Sequence, residues 1–197
     1  MSSAKRELIE TVKSQTGVEL HQERFTLGYA RRMTAYKRPD LLFSDLNWLR
    51  SLTKSYPLQI VLAGKAHPRD EPGKRLIESL YDHAKSLAGD ITVAYLPDYD
   101  MDIALAMVSG VELWLNTPQR PLEASGTSGM KAAFNGVPQL STLAGWWIEG
   151  CCIEGVTGWA IGDDSEQVSG DDAQSLYKKL EDVVLPLHLM FCMSKLE

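Results

Sequence analysis

Six short apolar runs alternate along the chain with stretches whose apolar residues recur every three or four positions. The runs cover residues 25–30, 59–63, 91–96, 111–115, 137–140 and 159–161. Most are too uniformly apolar to alternate with polar residues, which predicts strands covered on both faces. Between them, residues 40–55, 74–87 and 101–108 carry helical spacing. Leu42, Leu46, Leu49 and Leu52 form one face, and Leu76, Ile77, Leu80 and Leu87 another. Pro39 suits the first turn of the first of these helices. Residues 4–16 read as a helix stopped by Gly17, and 173–185 as a helix ending before Pro186.

Strands alternating with helices predict βαβ units in an α/β fold, a doubly wound, Rossmann-like parallel sheet. No repeat, low-complexity tract or Pro/Gly-rich linker divides residues 1–197, so one domain is expected. Ligands of such sheets gather at the carboxyl ends of the strands. The loops there are 31–38, 64–73, 97–100, 116–129 and 141–158.

Composition narrows the classes. With 44% hydrophobic and 23% charged residues, the chain of 197 can bury its own core without a metal or disulfide staple. A net charge of -6 argues against a nucleic-acid surface. Three cysteines, two of them the adjacent Cys151 and Cys152, fit a reducing compartment better than a disulfide framework. The opening residues lack an apolar core and no apolar run could span a bilayer, so a cytoplasmic chain without membrane partners is expected.

Local charge contradicts the global sign. From Arg24 to Arg38 there are five basic residues and no acidic one. Arg31, Arg32, Lys37 and Arg38 directly follow a predicted strand, where several cations could converge on one phosphate. A solvated rim of scattered ion pairs fits the same pattern. A second loop runs from Arg120 to Gly136, and from Ala124 through Ile148 its only formal charge is Lys131. Ser125, Gly126, Thr127, Ser128 and Gly129 are small enough for backbone N–H groups to approach a ligand. Residues 130–135 then read as a short helix with Thr127 or Ser128 as N-cap, a geometry suited to anions. Lys131 would sit in its first turn. Dehydrated among small and apolar neighbours, its amine would be a Schiff-base nucleophile. An ordinary surface lysine is the alternative.

Other motifs fail on inspection. The glycine spacing matches neither a Walker loop nor a nucleophile elbow, and no dinucleotide fingerprint follows a strand. Asp98, Asp100 and Asp102 begin like a calcium loop, but Ile103 replaces its glycine and Ser109 its final glutamate, so no metal site is expected. Trp146 and Trp147 could stack on sugar rings or anchor their loop to the core.

At these two loops the sequence resembles the α-glucan phosphorylase family (glycogen, maltodextrin and starch phosphorylases). EASGTSGMK, residues 123–131, is similar to the segment around the family's cofactor lysine, and RRMTAYKR, 31–38, to its phosphate-handling segment. The likeness continues through IVLAGKAHPRDEPGK, LPDYDM, WLNTPQRPLEASGT and NGV…LAGWWIEG, and covers roughly residues 5 to 190. It is nearest to the compact bacterial and archaeal branch. Ala144 stands where the family usually has Asp.

The resemblance implies a pyridoxal 5'-phosphate-dependent glycosyltransferase: an α-1,4-glucan and inorganic phosphate give α-D-glucose 1-phosphate, with the cofactor's phosphate relaying a proton. It implies Lys131 as cofactor lysine, Lys37 and Thr127 at the cofactor phosphate, Tyr99 at its ring, and Arg31 and Gly126 in the same set. Arg32 would clamp the substrate phosphate, while Glu123, Ala124, Ser125 and Gly126 would face the transferred glucose. Lys131, Arg32, Lys37 and Thr127 are thus the catalytic expectations. The implied architecture is the C-terminal half of a two-domain GT-B enzyme. The N-terminal domain would be a missing partner, so the isolated chain is expected to be inactive, and self-association through the uncovered face is a further expectation. Two other classes share these features: the C-terminal domain of a nucleotide-sugar glycosyltransferase, such as a glycogen or starch synthase, and a non-catalytic binding module.

Overall fold

The computed structural model describes residues 3–149, 152–162 and 172–194; Gly150 and Cys151 of the predicted 141–158 loop lie outside these. Six parallel strands form one sheet: β1 (Phe25–Ala30), β2 (Leu58–Ala63), β3 (Thr92–Leu96), β4 (Leu113–Asn116), β5 (Gln139–Thr142) and β6 (Gly158–Ile161). Their order is β3-β2-β1-β4-β5-β6. The chain therefore steps outward from β1 to β3, returns to β4 beside β1, and steps outward the other way. β1 and β2 are buried at every position, as strands covered on both faces must be.

Alternate strand residues feed two cores. Leu27 and Tyr29 of β1 belong to one, with Leu49 and Leu52 of α2 (Leu46–Ser55), Leu80 of α3 (Glu71–Ser86) and Leu176 of α6 (Asp172–Lys179). Ala30, Val61 and Trp114 belong to the other, with Leu8 and Val12 of α1 (Ser3–Thr16), Ile103 and Met107 of α4 (Met101–Gly110) and Ala132 of α5 (Thr127–Phe134). This is the doubly wound α/β architecture that the apolar pattern predicts.

Two helix boundaries differ most from expectation. The 40–55 stretch starts its α-helix only at Leu46, because the Asp45 carboxylate caps it by accepting from the Asn47 and Trp48 N–H groups. Leu41–Phe43 is a separate 3₁₀ turn. Nor does Pro186 end the last helix. A π-type turn, Leu180–Val184, follows α6, and Pro186 sits in the first turn of α7 (Leu185–Met193), where proline is accommodated. No helix among the described residues is long and apolar enough to cross a membrane.

Candidate functional site

The sheet order leaves a crevice where the connections from β1 and β4 diverge, the usual ligand position in a doubly wound fold. A cavity of about 460 Å³ opens there. It is lined by Arg31, Arg32, Tyr36 and Lys37 after β1, by Tyr99 ahead of α4, and by Glu123 through Ser128 and Lys131 around the start of α5. Each residue that the family resemblance implies for cofactor, phosphate or glucose thus lies on this one cavity.

Its floor is built from buried charge. Arg31 Nη2 donates to Glu123 Oε2 at 2.5 Å, and Lys37 Nζ donates to the same oxygen. The two basic side chains are only 5% and 10% exposed, so the pair is a fixture of the interior rather than a solvated rim. Burial alone would raise the Glu123 carboxyl. The Lys37 hydrogen bond and the positive charges of Arg31 and Lys37 together outweigh it and hold the group below the ordinary carboxylate value. Arg31 Nη1 is buried with no hydrogen-bond partner among the described residues. With Arg32 and Lys131 exposed at the mouth, four cationic side chains face one carboxylate, and the cavity carries a surplus of positive charge.

Lys37 is placed by the backbone around it. Its carbonyl accepts from Tyr29 Oη at 2.9 Å and from Thr117 Oγ1 at 3.0 Å, which ties the Ala35–Lys37 turn to β1 and to the connection after β4. Its ammonium also stands 4.6 Å from the centre of the Tyr36 ring. Tyr36 and Val108 line the cavity without having been singled out in the sequence. Tyr36 lies inside the RRMTAYKR segment, where the interleaved aromatic was an available signal.

Arg38 does not join the cluster. Left-handed at φ 46°, it sends its guanidinium to the Thr117 carbonyl at 2.8 Å and to Asp172 at 2.6 Å. Of the four basic residues in the loop, three line the cavity. His67, in the 64–73 loop, does not.

The glycine-rich loop departs from expectation in two ways. α5 begins at Thr127, and its N-cap is Gly126, left-handed at φ 87°, rather than a hydroxyl side chain. A residue with no Cβ takes that conformation without strain. Lys131 consequently lies in the second turn of α5, in an exposed position at the cavity mouth rather than in a dehydrated pocket. Apolar neighbours in sequence do not bury it, because Ala133 and Phe134 on the same helix are themselves exposed. Tyr99 is half-buried, and burial raises its phenol above the ordinary value.

The tryptophan pair anchors the loop. Trp147 is buried, while the Trp146 N–H donates to the Ser125 carbonyl at 2.9 Å. Neither lines the cavity. The anchor acts through the backbone and so does not need a carboxylate at buried Ala144.

The carbohydrate phosphorylase family profile matches residues 1–182. The chain belongs to this family. Among curated relatives it is 48% identical over 178 residues to a glycogen phosphorylase of Aquifex aeolicus, covering 87% of this chain and 25% of that one. It is 43% identical over 204 residues to a maltodextrin phosphorylase of Thermococcus litoralis, covering 94% and 24%. A glycogen phosphorylase of Mycobacterium tuberculosis is 40% identical over 168 residues, covering 82% and 19%. The chain thus spans about a quarter of the length of the first two relatives. These relatives are bacterial and archaeal, the branch that the signature segments resemble.

Proposed function

We propose that this chain forms the cofactor- and phosphate-bearing wall of an α-glucan phosphorylase active site. In that reading, the protein to which it belongs transfers a glucosyl unit from an α-1,4-glucan to inorganic phosphate. One observation carries the reading: two buried cations, one exposed guanidinium and one exposed amine on a glycine-loop helix converge on one cavity at the switch point of the sheet. Phosphate chemistry needs that surplus of fixed positive charge, since charge stabilisation by pre-aligned groups is commonly the largest catalytic contribution.

The residues present fit pyridoxal phosphate. Arg31 keeps a buried Nη1 without a partner, an unused donor suited to a phosphate oxygen. Gly126 leaves the loop free of a Cβ on the α5 end facing the cavity, and Lys131 supplies a primary amine on the same helix. Lys131 would hold the cofactor, Lys37, Arg31, Gly126 and Thr127 its phosphate, and half-buried Tyr99 its ring. When bound, the cofactor supplies a phosphate group able to exchange a proton with a second phosphate. Arg32, exposed at the mouth, would orient that second phosphate. Glu123, with Ala124 and Ser125, would accept and donate hydrogen bonds to hydroxyls of the transferred sugar. Glu123 would also balance the charge of Arg31 and Lys37 whenever no phosphate is present.

The glucan, phosphate and the remaining three quarters of a phosphorylase-length protein are the partners this reading requires. Supply of a second cleft wall by a partner domain explains why Lys131 lies open to solvent here. The free thiols of Cys152 and Cys192 suit a cytoplasmic setting. The test is production of glucose 1-phosphate from maltodextrin and inorganic phosphate by the full-length protein that contains this chain, against none from the chain alone. Turnover by the chain alone contradicts the division of labour. Thermal stabilisation by a sugar nucleotide, without stabilisation by pyridoxal phosphate, contradicts the reaction class.

A further inference from the structure

Under α5 the sheet carries two amide side chains where apolar residues would be cheaper to bury. Asn116 ends β4 and is 3% exposed; Gln139 begins β5 and is 1% exposed. Register pairs Gln139 with Trp114 and Asn116 with Ser141, so the two amides are diagonal neighbours on one face. Asn116 Nδ2 donates to Gln139 Oε1 at 2.8 Å, and Asn116 Oδ1 accepts a long hydrogen bond from Ser128 Oγ at 3.4 Å. Gln139 Nε2 is buried without a partner among the described residues. A buried amide that leaves a donor unused destabilises the fold, and its retention calls for another role.

The helix meets these amides at Gly129. A Cβ placed there would fall inside van der Waals contact with Gln139 Oε1 and 2.9 Å from Asn116 Nδ2. Gly129 does not have a positive φ, so its backbone does not require glycine. What requires it is the close approach of α5 to the amide pair. We infer that Asn116 and Gln139 are positioning residues. They set the depth at which Gly129 seats against the sheet, and through it where Ser128 and Lys131 stand in the cavity. Neither amide lines the cavity.

Helix propensity and this seating predict opposite signs for one substitution. Alanine is the better helix former, so Gly129→Ala, in the first turn of α5, should strengthen the helix if packing beneath it does not matter. If the seating governs, Gly129→Ala lifts the helix, and a second change, Gln139→Ala, makes room for the added methyl. The experiment compares the whole chain with Gly129→Ala, Gln139→Ala and the double variant. One readout is the affinity for pyridoxal phosphate trapped on Lys131 by borohydride. The other is ligand-free amide exchange at residues 130–132 relative to β1.

The expected result is a loss of affinity of roughly tenfold or more in Gly129→Ala, with exchange at residues 130–132 accelerated by a similar factor and β1 unchanged. The double variant should recover to about the level of Gln139→Ala alone. Unchanged affinity and exchange in Gly129→Ala, or a double variant worse than either single one, overturns the inference. The affinity arm rests on the functional reading above, whereas amide exchange needs no ligand. A wild-type chain that traps no pyridoxal phosphate contradicts that reading and leaves the exchange comparison to decide this one.

Discussion

Lys37 and Glu123, separated by 86 positions in the sequence, meet in an ion pair on the floor of the cavity, and Arg31 holds the same carboxylate oxygen. β1 delivers the cations and the connection after β4 delivers the anion, because the sheet order sets those strands side by side. The pair therefore exists only in the folded chain.

Removing the carboxylate leaves two buried cations facing each other. Glu123→Gln should lower stability by about 2 kcal/mol, less than the ~3–5 of a wholly buried pair because the cavity is open to solvent. Chemical denaturation with and without inorganic phosphate checks this. The loss should shrink when phosphate is added, as an external anion takes the vacated position. A variant as stable as the wild type, or one insensitive to phosphate, contradicts the pairing.

The same pair fixes an acid sensitivity. The folded Glu123 carboxyl lies below its ordinary value of 4.5, so it binds fewer protons folded than unfolded. Its contribution is complete above that ordinary value and fades as pH falls through the lower folded value. Melting temperatures measured from pH 6 down to pH 3 should converge for wild type and Glu123→Gln at the acid end. Parallel curves would show that the carboxylate is not held by Arg31 and Lys37.

Arg32 and Lys37 should separate binding from stability. Arg32 is exposed, and Arg32→Ala should change stability by less than ~0.5 kcal/mol while weakening phosphate binding. Lys37 is buried against Glu123 and Tyr36, and Lys37→Ala should reduce both. Phosphate titration by calorimetry beside thermal melts resolves the two; equal effects of the two variants on stability would contradict the geometry.

Gly126 is constrained by its backbone as well as its neighbours. At φ 87° an alanine is strained, and its Cβ would stand 3.4 Å from Trp146 Cδ1. Gly126→Ala should destabilise by about 1 kcal/mol or more and shift tryptophan fluorescence. Unaltered fluorescence would mean that Trp146 does not pack on the loop.

The β-branched runs made the strands legible, because a buried parallel strand needs apolar residues on both faces. Phe25–Ala30 is bounded as expected, and the others shift by one or two residues. The Arg31–Lys37 and Glu123–Lys131 segments are legible as anion chemistry because several cations follow one strand with no carboxylate beside them in sequence, and a small-residue loop opens a short helix. What the sequence hides is pairing across distance. Arg38 reads like its neighbours, yet its left-handed backbone turns it to Asp172. The amide pair Asn116 and Gln139 carries no local signal, since only the β4–β5 register makes the two meet. The exposure of Lys131 depends on which side of α5 the sheet covers, and small neighbours in sequence are silent about that.

Lys131 is proposed as the amine that takes pyridoxal phosphate in the cavity floored by Arg31 and Lys37. Incubating the chain with pyridoxal phosphate, reducing with borohydride and mapping the modified peptide tests it most directly. One dominant pyridoxyl adduct is expected, on Lys131, lost in Lys131→Ala and weakened in Lys37→Ala. Label spread evenly over surface lysines, or concentrated on another lysine, would contradict it.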